Sequence, residues 1–277
     1  MLLSAAERFR LLLTAQGVHL SYRHNFEIFF IGHFFNFVIP GGVGGDVVKA
    51  FYLHKDVGHK SKTSPYTVLF DRFIGLYILA IVAMVVVLTE WSRFSEVPKL
   101  KALSVFVVVT FFVVQIFVAV GFLKVVRDFV VRMVPAKFRP LKKFVGLIAE
   151  SCEHYAQNPR RVLLSVAWGL VGQMSGILSL AAVGYSIEGD AVPLSAYFFV
   201  APLGYIVSSL PISPAGIGVG QAAFLFLFEA YLGHPSALGP TCITVIQIVS
   251  LIWASIGVYF YLTRKSQPAL ATSPEKN

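Results

Sequence analysis

The chain has 277 residues, of which 56% are hydrophobic and only 13% charged, and it carries a net charge of +9. Soluble domains carry about 25% charged residues, so this composition excludes an ordinary soluble enzyme. The basic residues lie between long apolar runs, where the positive-inside bias of membrane proteins places them, and this distribution argues against nucleic-acid binding. The sequence predicts an all-α polytopic membrane protein.

The N-terminal segment MLLSAAERFRLLL lacks the apolar core and cleavage site of a signal peptide. We expect an amphipathic segment, or the end of a helix that begins upstream. The next apolar stretch, residues 26–53, contains FNFVIPGGVGGDVVKAFYL. Basic residues on both sides predict that both of its ends face the cytoplasm. The stretch is therefore predicted to be a re-entrant hairpin, in which residues 28–39 enter, the glycines form the tip and residues 43–53 return.

Uncharged runs long enough to cross a bilayer predict further helices over residues 66–89, 103–123, 162–184 and 240–262. With the broken segments this makes about 5–7 transmembrane helices. Loop charges place residues 54–65, 124–161 and the C-terminal tail in the cytoplasm, and residues 90–101 and 185–193 outside. The prediction is one membrane domain, 1–263, followed by a short disordered cytoplasmic tail, 264–277. Residues 124–161 are a basic segment lying on the cytoplasmic leaflet or an ordinary basic loop.

A second break, LPISPAGIGVGQAAF, lies within residues 191–232, which begin and end outside. Either two short crossing helices or a hairpin that enters from the outer face would begin and end outside. The loop charges do not decide between these two arrangements. The two breaks share a pattern, PGGVG from Pro40 and PAGIG from Pro214, each followed by Ala-Phe. Broken helices with opposite topology suggest an inverted repeat, which is a recurrent transporter design.

Charged residues near the breaks are the candidates for function, because charge within a membrane is expensive. Asp46 and Lys49 are three residues apart and share a helix face. Charge balance favours pairing of Arg72 with Asp46 or a lipid headgroup, and of Asp71 with Lys49. The helix that restarts after the glycines would direct its N-terminal amides at an anion. Structural ion pairs are the competing explanation.

Other polar residues carry less specific signals. Gln221 would supply hydrogen bonds without charge in the second break. His33, Asn36 and Gln173 are lone polar groups on apolar helices, for which helix–helix hydrogen bonds are the expected role. No Walker loop, spaced metal ligands or paired catalytic carboxylates appear, so no catalytic residue, metal or cofactor is predicted.

Three motifs in order, FFNFVIPGGVGGDVVKAFYL, VLFDRFIGLYIL and LPISPAGIGVGQAAF, resemble the lysylphosphatidylglycerol synthase transmembrane-region family over roughly residues 25–262. These flippase-like proteins lie in the bacterial or archaeal cytoplasmic membrane. The best-known members flip aminoacylated phospholipid and carry a soluble domain that transfers lysine from charged tRNA onto phosphatidylglycerol. The family's motif positions correspond here to Gly44, Gly45, Asp46, Asp71, Arg72, Pro214, Gly216 and Gly218. With Lys49 and Gln221 they are the predicted substrate-binding residues.

The sequence departs from the family pattern in four ways. Members usually have one or two helices before the first glycine motif, so we expect a short variant or an incomplete sequence. Lys49 stands where Arg is more common, which keeps the charge but loses bidentate phosphate recognition. Gln221 stands where an acid is common. No soluble transferase follows residue 263, so no enzyme activity is expected within this chain.

These observations lead to one leading hypothesis and two alternatives. The leading hypothesis is flippase- or transporter-like translocation of an anionic phospholipid or lipid-linked substrate across the cytoplasmic membrane, with the C-terminus inside. The first alternative is an accessory subunit or enzyme component of a lipid-linked glycosyl or aminoacyl transferase, with a separate transferase partner and with Asp46 and Asp71 holding a metal or acting as a base. The second is a scaffold whose charges are structural pairs. Membrane lipids are the expected partners and nucleic acid is not.

Overall fold

The computed structural model describes residues 1–39, 43–57, 66–123 and 150–264, and it is all-helical, without β-strands, in these ranges. Residues 150–157 are helical, and single 3-10 turns lie at Gly189–Ala191 and Pro214–Gly216. The α-helices are α1 Leu2–Ala15, α2 Tyr22–Val38, α3 Gly44–Val57, α4 Thr67–Thr89, α5 Trp91–Glu96, α6 Pro98–Phe122, α7 Pro159–Glu188, α8 Leu194–Ser208, α9 Val219–Leu232 and α10 Leu238–Thr263. The predicted cytoplasmic segment 124–161, except for its last twelve residues, and the tail after residue 264 lie outside the described residues.

Within the described ranges, five helical segments are long and apolar enough to cross a membrane, and α8 is a shorter apolar helix. They confirm the predicted multi-pass, all-α membrane protein. The five segments are Thr67–Thr89, Pro98–Ile116, Pro159–Ala191, Pro214–Leu232 and Leu238–Thr263. Prolines at the starts of α6 and α7 suit the first turn of a helix, where the missing N–H has no intrahelical partner.

The segment predicted as a loop over residues 90–101 contains the short helix α5 instead. Phe94 at its centre is fully buried. Its ring lies 4.5 Å from the ring of Phe199 in α8, measured between centroids. This aromatic contact buries α5 against the bundle, which is why a segment with several polar residues still folds.

The N-terminal helix α1 is packed inside the protein rather than along its surface. Phe9, Leu12 and Leu13 are fully buried, and α1 contacts α7, α4 and α2. Gly172 of α7 faces Ser4, and a side chain at Gly172 would overlap the serine hydroxyl. Small residues let membrane helices approach closely. The segment predicted to be amphipathic is therefore a core helix.

Helices α2 and α3 form an antiparallel hairpin whose open end lies beside the C-terminal end of α10. His24 near the start of α2 and Arg264 after α10 both contact the carboxylate of Asp56 near the end of α3. Farther along, the backbone of Phe30 lies against Gly257 of α10, so the hairpin runs along that helix toward its middle. The re-entrant position of this hairpin in the membrane stays a prediction.

Helices α8 and α9 form a second hairpin, with the second break between them. Its open end is closed by a hydrogen bond of 2.9 Å between the hydroxyls of Ser195 and Tyr231. Gly239 at the start of α10 packs on Phe224 and Phe228 of α9. The two hairpins therefore open toward opposite ends of α10, and their tips point toward each other.

Candidate functional site

The first break brings two backbones into close contact. The Gly45 N–H at the start of α3 donates to Oδ1 of Asn36 in α2, at 3.0 Å. A Cβ atom at Gly45 would overlap the carbonyl oxygen of Gly32, and one at Gly44 would overlap the side chain of Ile39. A side chain at Gly45 would therefore separate α2 from α3, and one at Gly44 would displace Ile39, just after the end of α2.

Asp46, in the first turn of α3, is the centre of the charged residues at this break. Its carboxylate accepts a hydrogen bond from Nε of Arg72 in α4, and Asp46 is one of the two partners that charge balance predicted for Arg72. Nζ of Lys49 lies 3.7 Å from Oδ1 of the same carboxylate. The exposed fractions of the three side chains are 14% for Asp46, 7% for Lys49 and 29% for Arg72. Two basic side chains thus share one carboxylate.

The Lys49 side chain packs against two aromatic rings. Its ammonium nitrogen lies 4.6 Å from the ring centroid of Phe29 and 5.7 Å from that of Phe9. Such cation–π contacts stabilise a cation that is removed from water. A side chain at Gly32 would overlap the aliphatic part of Lys49, so this glycine makes room for the lysine.

Arg72 also contacts the second break. Its Nη1 donates to the carbonyl oxygen of Ser209, at 3.4 Å, just after the end of α8. The turn Pro214–Gly216 packs against α2 of the first hairpin. The two breaks therefore meet, and Arg72 of α4 bridges them.

The backbone of the second break is strained and is stabilised by side-chain amides. Ala215 has a φ of +48°, and Gly216 and Gly218 have φ of +73° and +85°. These left-handed values favour glycine. Nε2 of Gln247 in α10 donates to the carbonyl oxygen of Ala215, at 3.3 Å. Gln247 was not among the predicted residues, although it is another lone amide on an apolar helix.

Gln221 caps α9 and links it to α10. It accepts from the Gly218 N–H at 2.7 Å, which caps α9, and donates to Oγ1 of Thr244 at 3.1 Å and Oε1 of Gln247 at 2.7 Å. These bonds fasten the second break to α10. A role of Gln221 in substrate binding stays a prediction.

The predicted pairing of Asp71 with Lys49 is wrong. Asp71 accepts from Nε of Arg8 in α1, at 2.7 Å, and both side chains are about nine-tenths buried. Successive residues of a helix point about 100° apart. Because Arg72 faces α3, its neighbour Asp71 faces α1 instead. Asp71 therefore lies outside the charged site, and its partner Arg8, like Gln247, is a residue that sequence reasoning missed.

The three lone polar residues make the expected helix–helix hydrogen bonds. His33 bonds Oγ of Ser250 at 3.2 Å, linking α2 to α10. Gln173 donates to the carbonyl oxygen of Gly75 at 3.3 Å, linking α7 to α4, and Asn36 bonds α3 as described. Since Ser250 and Gln247 are both in the middle third of α10, the two breaks meet about halfway along that helix.

The lining of one cavity includes none of the charged residues at the first break. A cavity of about 90 Å³ beside Arg8 is lined by α1 and α7 residues, including Gly172 and Gln173. In the described part of the chain, no group of three or more His, Cys, Asp or Glu residues is placed to hold a metal ion. Among the described residues, the groups at the meeting point include the cations of Arg72 and Lys49, the carboxylate of Asp46, and backbone amides and carbonyls.

These features define a polytopic helical membrane protein in which two broken hairpins meet at a site that contains Asp46, Lys49 and Arg72. The family model for the lysylphosphatidylglycerol synthase TM region matches residues 1–257. The chain therefore belongs to that family, as the motifs indicated, and the match includes α1 as well as both breaks. Neither curated proteins nor solved structures gave a significant match.

Proposed function

We propose that the protein translocates an anionic phospholipid or a lipid-linked anionic substrate across the cytoplasmic membrane, as a flippase or transporter. The observation that carries the proposal is Arg72, which contacts Asp46 at the first break and Ser209 at the second. With Lys49 nearby, two cations share one carboxylate at this point. A guanidinium group with an ammonium group nearby is suited to a phosphate group.

The architecture supports access from two directions. Non-helical backbone within a bilayer is tolerated where it is buried in protein or lines a water-filled cavity. Side-chain amides bind backbone groups or each other at both breaks. Asn36 does so at the first break, and Gln247 and Gln221 do so at the second. The hairpins open toward opposite ends of α10, so movement of one hairpin relative to the other would expose the charged site to one face at a time.

The surface next to the charged site is suited to an amphiphile rather than to a soluble anion. Val47 and Phe51 lie four residues apart on α3, so they share a face. Their exposed fractions are 64% and 61%. A lipid with its phosphate at Arg72 would place its acyl chains along this face, in contact with the surrounding bilayer.

The transferase-component alternative receives less support. It needs Asp46 and Asp71 to act together on a metal or as a base. The two carboxylates bind different arginines, Arg72 and Arg8, on different sides of α4. No observation in the described residues favours this alternative over translocation.

The test is lipid translocation by purified protein in proteoliposomes. Fluorescent phosphatidylglycerol would be placed in both leaflets, and dithionite would quench the outer leaflet, so that loss of the protected fraction reports translocation. We expect Arg72→Gln to slow translocation by about tenfold or more, the loss produced by about 1.4 kcal/mol or more. Arg10→Gln is the matched control, because Arg10 pairs with Glu7 within α1. Equal rates for Arg72→Gln and the unsubstituted protein would contradict the proposal.

A further inference from the structure

The ion pair between Asp46 and Arg72 connects the tips of the two hairpins. Asp46 belongs to the first hairpin, whereas the carbonyl oxygen of Ser209 belongs to the second, and both accept from the same guanidinium group. Arg72 itself lies in α4 and belongs to neither hairpin. A ligand that displaces Asp46 from Arg72 would therefore remove this polar connection between the tips, whereas the packing of the turn Pro214–Gly216 against α2 would remain.

Asp46 has a second cation within reach. Nζ of Lys49 is 3.7 Å from Oδ1 of Asp46, and charge-assisted hydrogen bonds of this type are about 2.7–2.9 Å long. A shift of roughly 1 Å would therefore close the contact. In the described part of the chain, Asp46 is the one carboxylate that forms an ion pair with Lys49. The lysine is otherwise held by the rings of Phe29 and Phe9.

We propose that Lys49 is a positioning residue that receives the Asp46 carboxylate when a phosphate group replaces it at Arg72. Removing one partner of a buried ion pair is costly because the other charge is left uncompensated. By pairing with the carboxylate, Lys49 would keep the charge of Asp46 compensated. Phosphate could then bind at Arg72 while Asp46 stays buried. The identity of the ligand rests on the proposed function, but the exchange itself does not require transport.

The exchange would couple ligand binding to movement. With Asp46 bound to Lys49, which is in the same helix, the first hairpin would no longer be connected through Arg72 to Ser209. We expect the tips to move apart when this connection is lost, against the remaining packing of the turn Pro214–Gly216 on α2. A ligand without an anionic group could not compete with the carboxylate and would leave the tips together.

The experiment measures tip separation and affinity in the purified full chain in detergent. Spin labels would replace Val43 and Ile212, whose exposed fractions are 39% and 66%, after Cys152 and Cys242 are changed to Ala. Dihexanoyl phosphatidylglycerol is the probe, and electron paramagnetic resonance reports the distance between the labels. We expect the probe to increase this distance in protein with the native Asp46, Lys49 and Arg72.

Lys49→Met keeps the length and apolar contacts of the side chain but removes its charge. We expect it to weaken probe affinity by about tenfold, a typical size for such coupling, and to abolish most of the distance change. Lys49→Arg should preserve both. A full distance change in the folded Lys49→Met protein would overturn the proposal, whatever its affinity.

The Asp46→Asn background separates positioning from direct binding. Without a carboxylate to relocate, Lys49→Met should change probe affinity less than about twofold, because the coupling is gone. If Lys49 contacts the phosphate itself, Lys49→Met would weaken binding by a similar factor in both backgrounds. That result would overturn the proposal.

Two further probes identify the source of the phosphate. Dihexanoylglycerol has no phosphate, and a distance change with it would overturn the exchange. Inorganic phosphate has no acyl chains, and we expect it to act only at much higher concentration than the lipid. Equal potency of inorganic phosphate and lipid would support the exchange while contradicting a lipid substrate, so failure of the proposed function is distinguishable from failure of this inference.

Discussion

At the scale of single residues, the buried pair of Arg8 and Asp71 should control stability. Removing one charge of a buried pair leaves the other uncompensated, which costs about 3–5 kcal/mol. We expect Asp71→Asn to lower the free energy of unfolding by an amount in this range, measured by denaturant titration in mixed micelles. Lys55→Gln is the control, because Lys55 is exposed and a surface substitution is expected to change the free energy of unfolding by less than about 0.5 kcal/mol.

A double substitution distinguishes the cost of an unpaired charge from the value of the pair. Well-packed apolar residues often replace a buried ion pair with little loss. Arg8→Met combined with Asp71→Leu should therefore be more stable than Asp71→Asn alone. A double variant less stable than the single one would show that the pair contributes stability beyond mutual neutralisation.

The same residues show how far sequence reasoning reaches at this scale. Arg72 could be assigned to Asp46 because both lie next to recognised motifs. Arg8 could not be assigned to Asp71, because the N-terminal segment was treated as amphipathic and its arginines as cytoplasmic. A signal was present: Arg8 lies four residues from both Ser4 and Leu12, and such positions share one helix face. An arginine on the buried face of a helix requires a partner.

At the scale of helices, three buried side chains fasten the first hairpin to α10. Asp56 near the end of α3 accepts from Nη2 of Arg264 and lies 2.8 Å from Nε2 of His24. The ring of Tyr52 lies beneath the Arg264 guanidinium, 4.4 Å from the ring centroid to Cζ. Both Arg264 and Asp56 had been assigned to polar cytoplasmic segments, and their burial follows only from the way the helices meet.

Asp56→Asn should loosen this attachment, because the neutral amide cannot compensate the buried Arg264. We expect faster hydrogen exchange at the amides of α3, with little change in α8 and α9, measured by mass spectrometry. Lys55→Gln, at the neighbouring exposed position, is the control. Equal acceleration in α8 and α9 would indicate general destabilisation and would contradict a local role.

The helices themselves were largely predictable from apolar runs, because in a membrane the length of a run is set by bilayer thickness. The structure places α4 at Thr67–Thr89 and α10 at Leu238–Thr263, close to the predicted ranges. The short helix α5 was not predictable in the same way. Its position depends on a tertiary contact, that of Phe94 with Phe199, which hydrophobic periodicity along the sequence cannot indicate.

At the scale of the whole molecule, alternating access depends on the two hairpins opening toward opposite faces of the membrane. The contacts show opposite ends of α10, with His24 and Asp56 near Arg264 and α9 packed on Gly239. Which end lies in the cytoplasm follows from the loop charges. The cytoplasmic position of the C-terminal end is therefore a prediction, and it can be tested without knowledge of the substrate.

Single cysteines at the two open ends provide that test. Lys55→Cys lies near the end of α3 and His234→Cys lies just after α9, and both positions are exposed. The native Cys152 and Cys242 are buried and are changed to Ala. In intact cells or right-side-out vesicles, we expect a membrane-impermeant maleimide to label His234→Cys immediately and Lys55→Cys only after permeabilisation.

Ser92→Cys in α5, another exposed position, should be labelled together with His234→Cys, since residues 90–101 are predicted to lie outside. This control separates a wrong orientation from a wrong topology. If the whole protein were inverted, all three positions would exchange sides. If Lys55→Cys and His234→Cys were labelled from the same side, the hairpins would open to one face, and alternating access through the site at Arg72 would have no structural basis.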